Sequence, residues 1–209
     1  MLALKNNIIF VHVPKTGGRF IRKSLRQLDL IDGKYAGLHS GLDELNPVHN
    51  DYRKVAGVRN PWDWYVSLYF FQKNLMCQKT FSKNKIIDTS SFPDYMRLMF
   101  SDSSEIRGRF LWPRKNHKNT DAGALTNNIY KQCYLNDVDC IDYYIRLEHI
   151  KEDFQIAFNL TDEDADEIDF FKKDGRSNHM PYQDYYNQEL IDLVAIKEKE
   201  IINRFKYDF

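Results

Sequence analysis

The stretch IIFVHVPKTGGRF, residues 8–20, decides the fold. Its first half, residues 8–13, is a short apolar run bounded by polar Asn7 and by Pro14, a pattern typical of a buried parallel strand. A proline followed by a glycine pair then predicts a loop over residues 14–18. Apolar residues recur at helical spacing from Arg19 onward. The stretch therefore predicts a strand, a glycine-containing loop and a helix in direct succession.

The same succession recurs around Arg59. Residues 54–58, which are apolar after Lys54, predict a second buried strand that runs into Arg59-Asn60-Pro61. Pro61 suits the first turn of a helix, which the pattern predicts from Trp62 to about Asn74. A second strand thus leads through a short polar turn into a second helix.

Further strands and helices follow along the chain. A third strand is predicted over residues 141–147, and helices are predicted over 92–100, 148–159 and 189–205. Strands that alternate with helices predict an α/β fold, a three-layer domain with a central, mainly parallel sheet. Ligands of such sheets bind at the carboxyl ends of the strands, where both loops described above begin.

Length and composition limit the possible functions. A chain of 209 residues with 43% hydrophobic residues suits one domain over residues 1–209. Lys+Arg and Asp+Glu both number 30, and this balance disfavours a general nucleic-acid binder. With no bilayer-length apolar run and no signal-peptide core in residues 1–7, we predict a cytoplasmic protein without a membrane span. The cysteines and histidines lack zinc spacing, so we predict no metal.

The first loop has the chemistry of an anion site. A helix N-terminus offers backbone N–H groups and partial positive charge, and Gly17 and Gly18 allow close approach. Lys15 adds a charge and Thr16 a hydroxyl donor. Nucleoside-triphosphate loops instead place the lysine after the glycines, so this is not one of the usual kind. The alternative interpretation is a tight turn with a surface lysine.

The second loop complements the first. Arg59 presents a planar fork of donors suited to a phosphate, and Ser67 follows about two helical turns later. The alternative is an arginine that caps a strand and an ordinary helical serine.

Together, HVPKTGG (residues 12–18) and VRNPWD followed by VSLY (residues 58–63 and 66–69) resemble the PAPS-dependent sulfotransferases. PAPS is 3′-phosphoadenosine-5′-phosphosulfate. The resemblance is closest to the carbohydrate type related to heparan and uronyl 2-O-sulfotransferases. It extends to three C-terminal segments, residues 146–150, 182–186 and 205–209.

The resemblance implies a P-loop-NTPase-like sulfotransferase fold and an in-line transfer from PAPS to an acceptor hydroxyl, with a glycan as the first choice. The product is adenosine 3′,5′-bisphosphate (PAP), and no metal takes part. The first loop would bind the 5′-phosphosulfate, with Lys15 on the bridging oxygen, and Arg59 and Ser67 would bind the 3′-phosphate. The implied cofactor-binding residues are Pro14, Lys15, Thr16, Gly17, Gly18, Arg19, Phe20, Arg59, Ser67, Arg176 and Ser177.

Several of these assignments carry an alternative. Relatives place Thr or Ser where this chain has Arg19. The contact of that hydroxyl with the 5′-phosphate is therefore lost or replaced by a contact of the charged arginine. Phe20 is assigned near the adenine, although a core-facing Phe is common at a helix start. Arg176 and Ser177 lie in a late basic loop that would otherwise simply be solvated.

Removal of the proton from the acceptor hydroxyl requires a base whose pKa lies near neutrality. Among six histidines, we choose His39 for this role. It precedes a short predicted helix between the two loops, an interval where the resembling enzymes place their base. His49 and Glu44 are rivals, whereas His12 is expected to pack inside. His117 lies in a basic stretch that is suited to binding an anionic acceptor.

Two other functions remain open at this stage. One is a P-loop-type small-molecule kinase, which would need a magnesium carboxylate. The other is a non-catalytic nucleotide-binding relative. Arg19 is compatible with this alternative because it departs from the pattern of the resembling enzymes. The acceptor and the oligomeric state are not readable from the sequence.

Overall fold

The structure is a computed structural model that describes residues 1–34, 37–77, 91–101, 122–170 and 179–209. The chain divides into two compact units. The first comprises residues 1–59 and 128–175, and the second comprises residues 60–127 and 176–209. The prediction of one domain over residues 1–209 stays a prediction.

The first unit is built on a sheet. The strands of the described residues are β1 (Leu2–Leu4), β2 (Ile8–Val11), β3 (Ile31–Lys34), β4 (Arg53–Val58), β5 (Tyr134–Leu135), β6 (Val138–Asp139) and β7 (Tyr143–Arg146). Five of them form one sheet in the order β3-β1-β2-β4-β7, while β5 and β6 form a hairpin. β2 pairs in parallel with β4 and β4 with β7, whereas β1 is antiparallel to β2 and β3. Four of the five strands thus run the same way, which confirms the predicted α/β fold with a mainly parallel sheet.

The register brings three strand ends to one edge of this sheet. Val11 at the end of β2 pairs with Ala56 of β4, and Val58 at the end of β4 pairs with Arg146 of β7. The chain segments that follow these strands therefore leave the sheet at its carboxyl edge, where both predicted anion loops begin.

Helices flank these strands in the sequence. The first unit contains α1 (Gly18–Gln27), α5 (Ile150–Phe158) and α6 (Asp162–Asp166). The second contains α2 (Pro61–Cys77), α3 (Phe92–Met99), α7 (Gln188–Lys197) and α8 (Lys199–Phe205), and residues of α4 (Ala124–Cys133) fall in both. Short 3-10 helices occupy Leu42–Glu44, Pro47–His49, Leu147–His149 and Tyr182–Tyr185.

The core of the first unit lies between the sheet and the helices α1 and α5. Ile21 and Leu25 are one turn apart on α1, as are Phe154 and Phe158 on α5, and all four are fully buried with Phe10 of β2. Burial of each such side chain contributes roughly 1.5–3 kcal/mol, so this apolar layer fixes α1 against the sheet.

The last predicted helix, 189–205, is in fact two helices, because the chain bends at Glu198 between α7 and α8. Glu198 is fully buried, and its carboxylate accepts hydrogen bonds from the N–H groups of Leu125 and Thr126 at 3.0 and 2.9 Å. The hydroxyls of Tyr65 and Thr126 also donate to it, each at 2.6 Å. This carboxylate therefore caps the start of α4, a long-range contact that helical periodicity does not reveal.

One smaller feature also differs from the expectation. β1 was not predicted, since three apolar residues before a turn give no clear periodicity. Among the described residues, no helix is long and apolar enough to cross a membrane.

Candidate functional site

The loop between β2 and α1 has a backbone suited to anion binding. Lys15 and Gly17 both adopt left-handed conformations, with φ of 65° and 82°. The first helical hydrogen bond runs from the Ile21 N–H to the Gly17 carbonyl at 3.1 Å, so the N–H groups of Gly18, Arg19 and Phe20 precede the helical ladder. Such a turn at a helix N-terminus directs N–H groups and positive dipole charge outward.

Thr16 holds this loop onto the sheet. Its side chain is buried, and its hydroxyl donates to the Val13 carbonyl at 2.8 Å. A Cβ added at Gly57 of β4 would lie 2.7 Å from Thr16 Oγ1, so Gly57 leaves the space that the threonine fills. The structure therefore gives the hydroxyl of Thr16 an anchoring role, and its assignment as a cofactor contact stays a prediction.

Arg59 extends from the end of β4 to the first loop. Its guanidinium NH1 donates to the Lys15 carbonyl at 3.2 Å. Burial, followed by the positive charges of Arg59 and Arg19, lowers the pKa of Lys15 to about 8. The structure thus brings three predicted site residues together, and their mutual repulsion favours the binding of an anion.

The two loop glycines are required by close neighbours. A Cβ at Gly18 would overlap the His12 ring, and one at Gly17 would lie 2.6 Å from Leu147 Cδ1. Gly17 also has a positive φ, which side chains rarely adopt. The glycine pair therefore allows α1 to begin directly against His12, and the same contact fixes where that ring lies.

His12 and His39 form a pair beside this loop. Their ring centroids are 4.7 Å apart, and His12 is buried with 7% of its surface exposed. Burial, followed by the charges of His39 and Arg22, lowers the pKa of His12 to about 3. His12 is therefore neutral near pH 7, and the structure places it in the interior as expected.

His39 is oriented by the backbone of His12. Its Nδ1 lies 3.1 Å from the His12 carbonyl, a contact that requires a proton on Nδ1. The remaining nitrogen, Nε2, then carries the lone pair. Burial lowers the pKa of His39, and the hydrogen bond to His12 partly opposes this shift. At neutral pH the ring can therefore accept a proton at Nε2, which is the property of a general base.

The rival bases have other surroundings. His49 is buried and lies edge-on against the Tyr52 ring at 4.6 Å. Glu44 is exposed and accepts a hydrogen bond from Ser40 Oγ at 2.8 Å.

The other predicted residues differ in burial and packing. Arg19 is exposed on α1, whereas the Phe20 ring packs 5.8 Å from Phe170 and 6.4 Å from Phe154. Ser67 is buried on α2 of the second unit. Arg176, Ser177 and His117 lie outside the described residues. Their assignments stay predictions, as do those of Pro14, Phe20 and Ser67.

Sequence reasoning missed two polar residues near the histidine pair. Gln132 at the end of α4 is buried and reaches the backbone of both histidines. Arg22, one turn after Gly18 on α1, has a buried Nε without a hydrogen-bond partner among the described residues. Neither belongs to a loop motif, and only the packing of α1 and α4 in the folded chain could have identified them.

Comparisons with known proteins give one structural likeness. A scan of protein-family models and a search of curated proteins found no match. Among solved structures, the chain is similar to the crystal structure of mouse sulfotransferase SULT7A1 complexed with PAP. The TM-score is 0.51 at 14% identity, over 96% of this chain and 86% of the mouse chain. This likeness establishes the fold, a mixed α/β arrangement with a mostly parallel central sheet.

Proposed function

We propose that this protein is a sulfotransferase that uses PAPS and transfers its sulfuryl group to an acceptor hydroxyl, with carbohydrate as the first acceptor class. The observation that carries the proposal is the cluster of Lys15, Arg19 and Arg59 at the loop before α1. The structural neighbour, a sulfotransferase complexed with PAP, supports it further.

The residues of this loop suit the phosphosulfate end of PAPS. Two oxyanions in series need several donors, and the start of α1 offers backbone N–H groups where Lys15 adds a charge. Arg59 donates to the backbone of the same loop, and its other donor groups are proposed, with Ser67, for the 3′-phosphate of the same nucleotide. We infer that PAPS binds here without a metal ion, because side-chain cations and backbone donors can neutralise its charge.

Three tasks then fall to the protein during transfer. The donor supplies an activated sulfur, which the acceptor oxygen attacks in line while the bond to the bridging oxygen breaks, by analogy with phosphoryl transfer. Lys15 stabilises the charge that develops on that oxygen as PAP leaves. His39 Nε2 accepts the proton of the acceptor hydroxyl. The loop keeps the reacting groups aligned.

Ligand preference tests the cofactor assignment first. Thermal unfolding should shift upward with PAP and remain nearly unchanged with ATP and magnesium. A clear preference for ATP would instead favour the kinase hypothesis. Lys15→Ala should lose the PAP shift, whereas Lys5→Ala, which removes an exposed lysine paired with Asp29, is the matched control.

Transfer of labelled sulfate from PAPS tests the activity. A panel of sugars, lipids and phenols should give a labelled product with at least one acceptor, and the sugar arm tests the carbohydrate proposal. His39→Ala should lower kcat by roughly 10²- to 10⁴-fold without loss of PAP binding. Tight PAP binding with no product from any acceptor would favour the non-catalytic relative.

Substitutions test the remaining assignments. Ser67→Ala should weaken PAP binding if its hydroxyl contacts the 3′-phosphate. Arg176→Ala should weaken PAP binding if this side chain contacts the nucleotide, and Ser177→Ala should do so to a smaller extent. An unchanged dissociation constant for one of these variants would remove that residue from the site and leave the proposal for Lys15 intact.

A further inference from the structure

Gln132 lies between two carbonyl groups of the histidine pair. Its side-chain nitrogen Nε2 donates to the His39 carbonyl at 2.9 Å and to the His12 carbonyl at 3.2 Å. An amide NH₂ carries two hydrogens, so one side chain can serve both acceptors. Only 2% of the Gln132 surface is exposed, and these bonds are therefore shielded from water.

The orientation of this amide follows from its surroundings. A reversed amide would direct Oε1 at two carbonyl oxygens, and all three atoms are acceptors. In the observed orientation Oε1 is buried and has no hydrogen-bond partner among the described residues. An unsatisfied buried oxygen costs roughly 1–3 kcal/mol, so stability alone does not explain a glutamine at this position.

The His12 carbonyl connects Gln132 to the His39 ring. It accepts from Gln132 Nε2 and from His39 Nδ1, at 3.2 and 3.1 Å. Gln132 thus holds the acceptor that selects the His39 tautomer and, through the His39 carbonyl, the backbone that carries the ring.

The loop that carries His39 also lies directly on the end of α4. A Cβ added at Gly41 would lie 2.6 Å from the Lys131 carbonyl and 3.3 Å from Gln132 Cα. Ser40 Oγ accepts from the Gly37 N–H at 2.9 Å, which closes the loop on itself. The position of His39 is therefore set by the contact of this loop with α4, at Gln132.

We propose that Gln132 is a positioning residue for His39, whose amide holds the His12 and His39 carbonyls so that the His39 ring keeps its Nδ1–H tautomer and presents Nε2 as the base. The catalytic consequence rests on the proposed function. The tautomer and the orientation of the ring do not, and they can be measured without turnover.

The unmodified protein gives the first test. Long-range ¹H–¹⁵N correlation spectra of protein labelled at histidine should show His39 protonated at Nδ1 near pH 7. A His39 ring protonated at Nε2 would overturn the proposal, because no hydrogen bond to the His12 carbonyl would then exist.

Gln132→Met gives the second test, since methionine keeps the length of the side chain and removes both hydrogen bonds. The spectra should change to a mixture of tautomers, and kcat should fall roughly 10- to 100-fold with PAP affinity within about twofold. Gln27→Met is the matched control, because Gln27 also donates to a backbone carbonyl, that of Glu167, but on the exposed face of α1. Unchanged kcat and tautomer in folded Gln132→Met would overturn the proposal.

The two proposals can fail separately. Wild-type protein that transfers no sulfate would contradict the proposed function, while the spectra of wild type and Gln132→Met would still decide the role of Gln132. If wild-type protein is active and Gln132→Met has the same kcat and the same His39 tautomer, only the positioning role would be contradicted.

Discussion

Lys15 holds a positive charge where its surroundings disfavour one. Its pKa is lowered to about 8 by burial and by Arg59 and Arg19, so the amine of the free protein begins to lose its proton just above neutrality. A bound phosphate or sulfate would favour the charged form, and the proposed PAP site should therefore depend on pH in a defined direction.

We predict that PAP affinity decreases as pH rises above about 8, by up to about tenfold per pH unit, because binding then requires uptake of a proton by Lys15. Calorimetric titrations between about pH 7 and pH 9.5 measure this slope. Lys15→Arg is the control, since arginine stays charged over this range. An equal slope in both proteins would exclude Lys15 as its source.

Gly18 is a second position at which a single substitution should affect stability. We predict that Gly18→Ala destabilises the protein by about 1–3 kcal/mol, because the added methyl overlaps the His12 ring. Urea unfolding measures the change. The same substitution at Gly37 is the control, where a Cβ would meet Ser40 Oγ at 3.2 Å and nothing nearer. An unchanged midpoint for Gly18→Ala would mean that His12 moves aside without cost.

At the scale of elements, the start of α4 depends on a carboxylate from the bend between α7 and α8. Burial raises the pKa of Glu198, while hydrogen bonds from Thr126, Tyr65 and the backbone oppose this shift. Four donor groups converge on its two oxygens, and removing the acceptor would leave them buried and unsatisfied.

We predict that Glu198→Ala lowers the free energy of unfolding by about 3–5 kcal/mol for this reason. Glu200→Ala, an exposed position two residues later, should change it by less than about 0.5 kcal/mol. Chemical denaturation of both variants gives the comparison. Similar losses for the two variants would contradict the capping role.

The end of β7 is joined to α5 by a second buried carboxylate. Asp153 is almost fully buried and accepts from the Arg146 backbone N–H and Nε at 2.8 Å each, from Arg146 NH2 at 2.9 Å, and from the Tyr143 hydroxyl at 3.1 Å. Burial raises the pKa of Asp153, but the hydrogen bonds from Arg146 and Tyr143 outweigh it and hold this pKa below its usual value.

A carboxyl group with a lowered pKa stabilises the fold at neutral pH and loses this contribution as the pH falls through its native pKa. We predict that Asp153→Asn costs about 2–3 kcal/mol at pH 7 and clearly less near about pH 3. Urea unfolding at both values tests this. Asp162→Asn, at an exposed carboxylate on α6, is the control and should show little change at either pH.

The elements that the sequence predicted share a physical property. β2, β4 and α1 are short segments whose apolar periodicity reflects burial against one another, so local pattern and tertiary contact agree. The bend at Glu198 was missed because it depends on residues far away in the chain. β1 was missed because three residues are too few to show a periodicity, although its partner β2 is adjacent in sequence. Of the site, the loop and Arg59 were predicted to lie together and do so, whereas Gln132 has no local signature.

At the scale of the whole molecule, the charge balance conceals local asymmetry. The chain has a net charge of zero, yet Lys15, Arg19 and Arg59 raise the positive potential around one loop. Composition disfavours a general affinity for nucleic acid but could not locate this cluster, because location depends on the register of β2 against β4.

We predict that PAP at about 100 times its dissociation constant stabilises the protein by about 2.7 kcal/mol, as expected for a ligand that binds only the folded state. Unfolding curves at several PAP concentrations should follow this logarithmic dependence. A midpoint independent of PAP concentration would contradict specific binding.

The contact of the His12 ring with Gly18 has a use beyond this chain. Because the imidazole occupies the volume of the missing side chain, the two positions constitute a coupled pair separated by six positions in sequence. We expect a homologue that keeps a ring at the first position to favour glycine at the second. Distant relatives, too divergent for overall similarity to detect, can be sought by this paired signature.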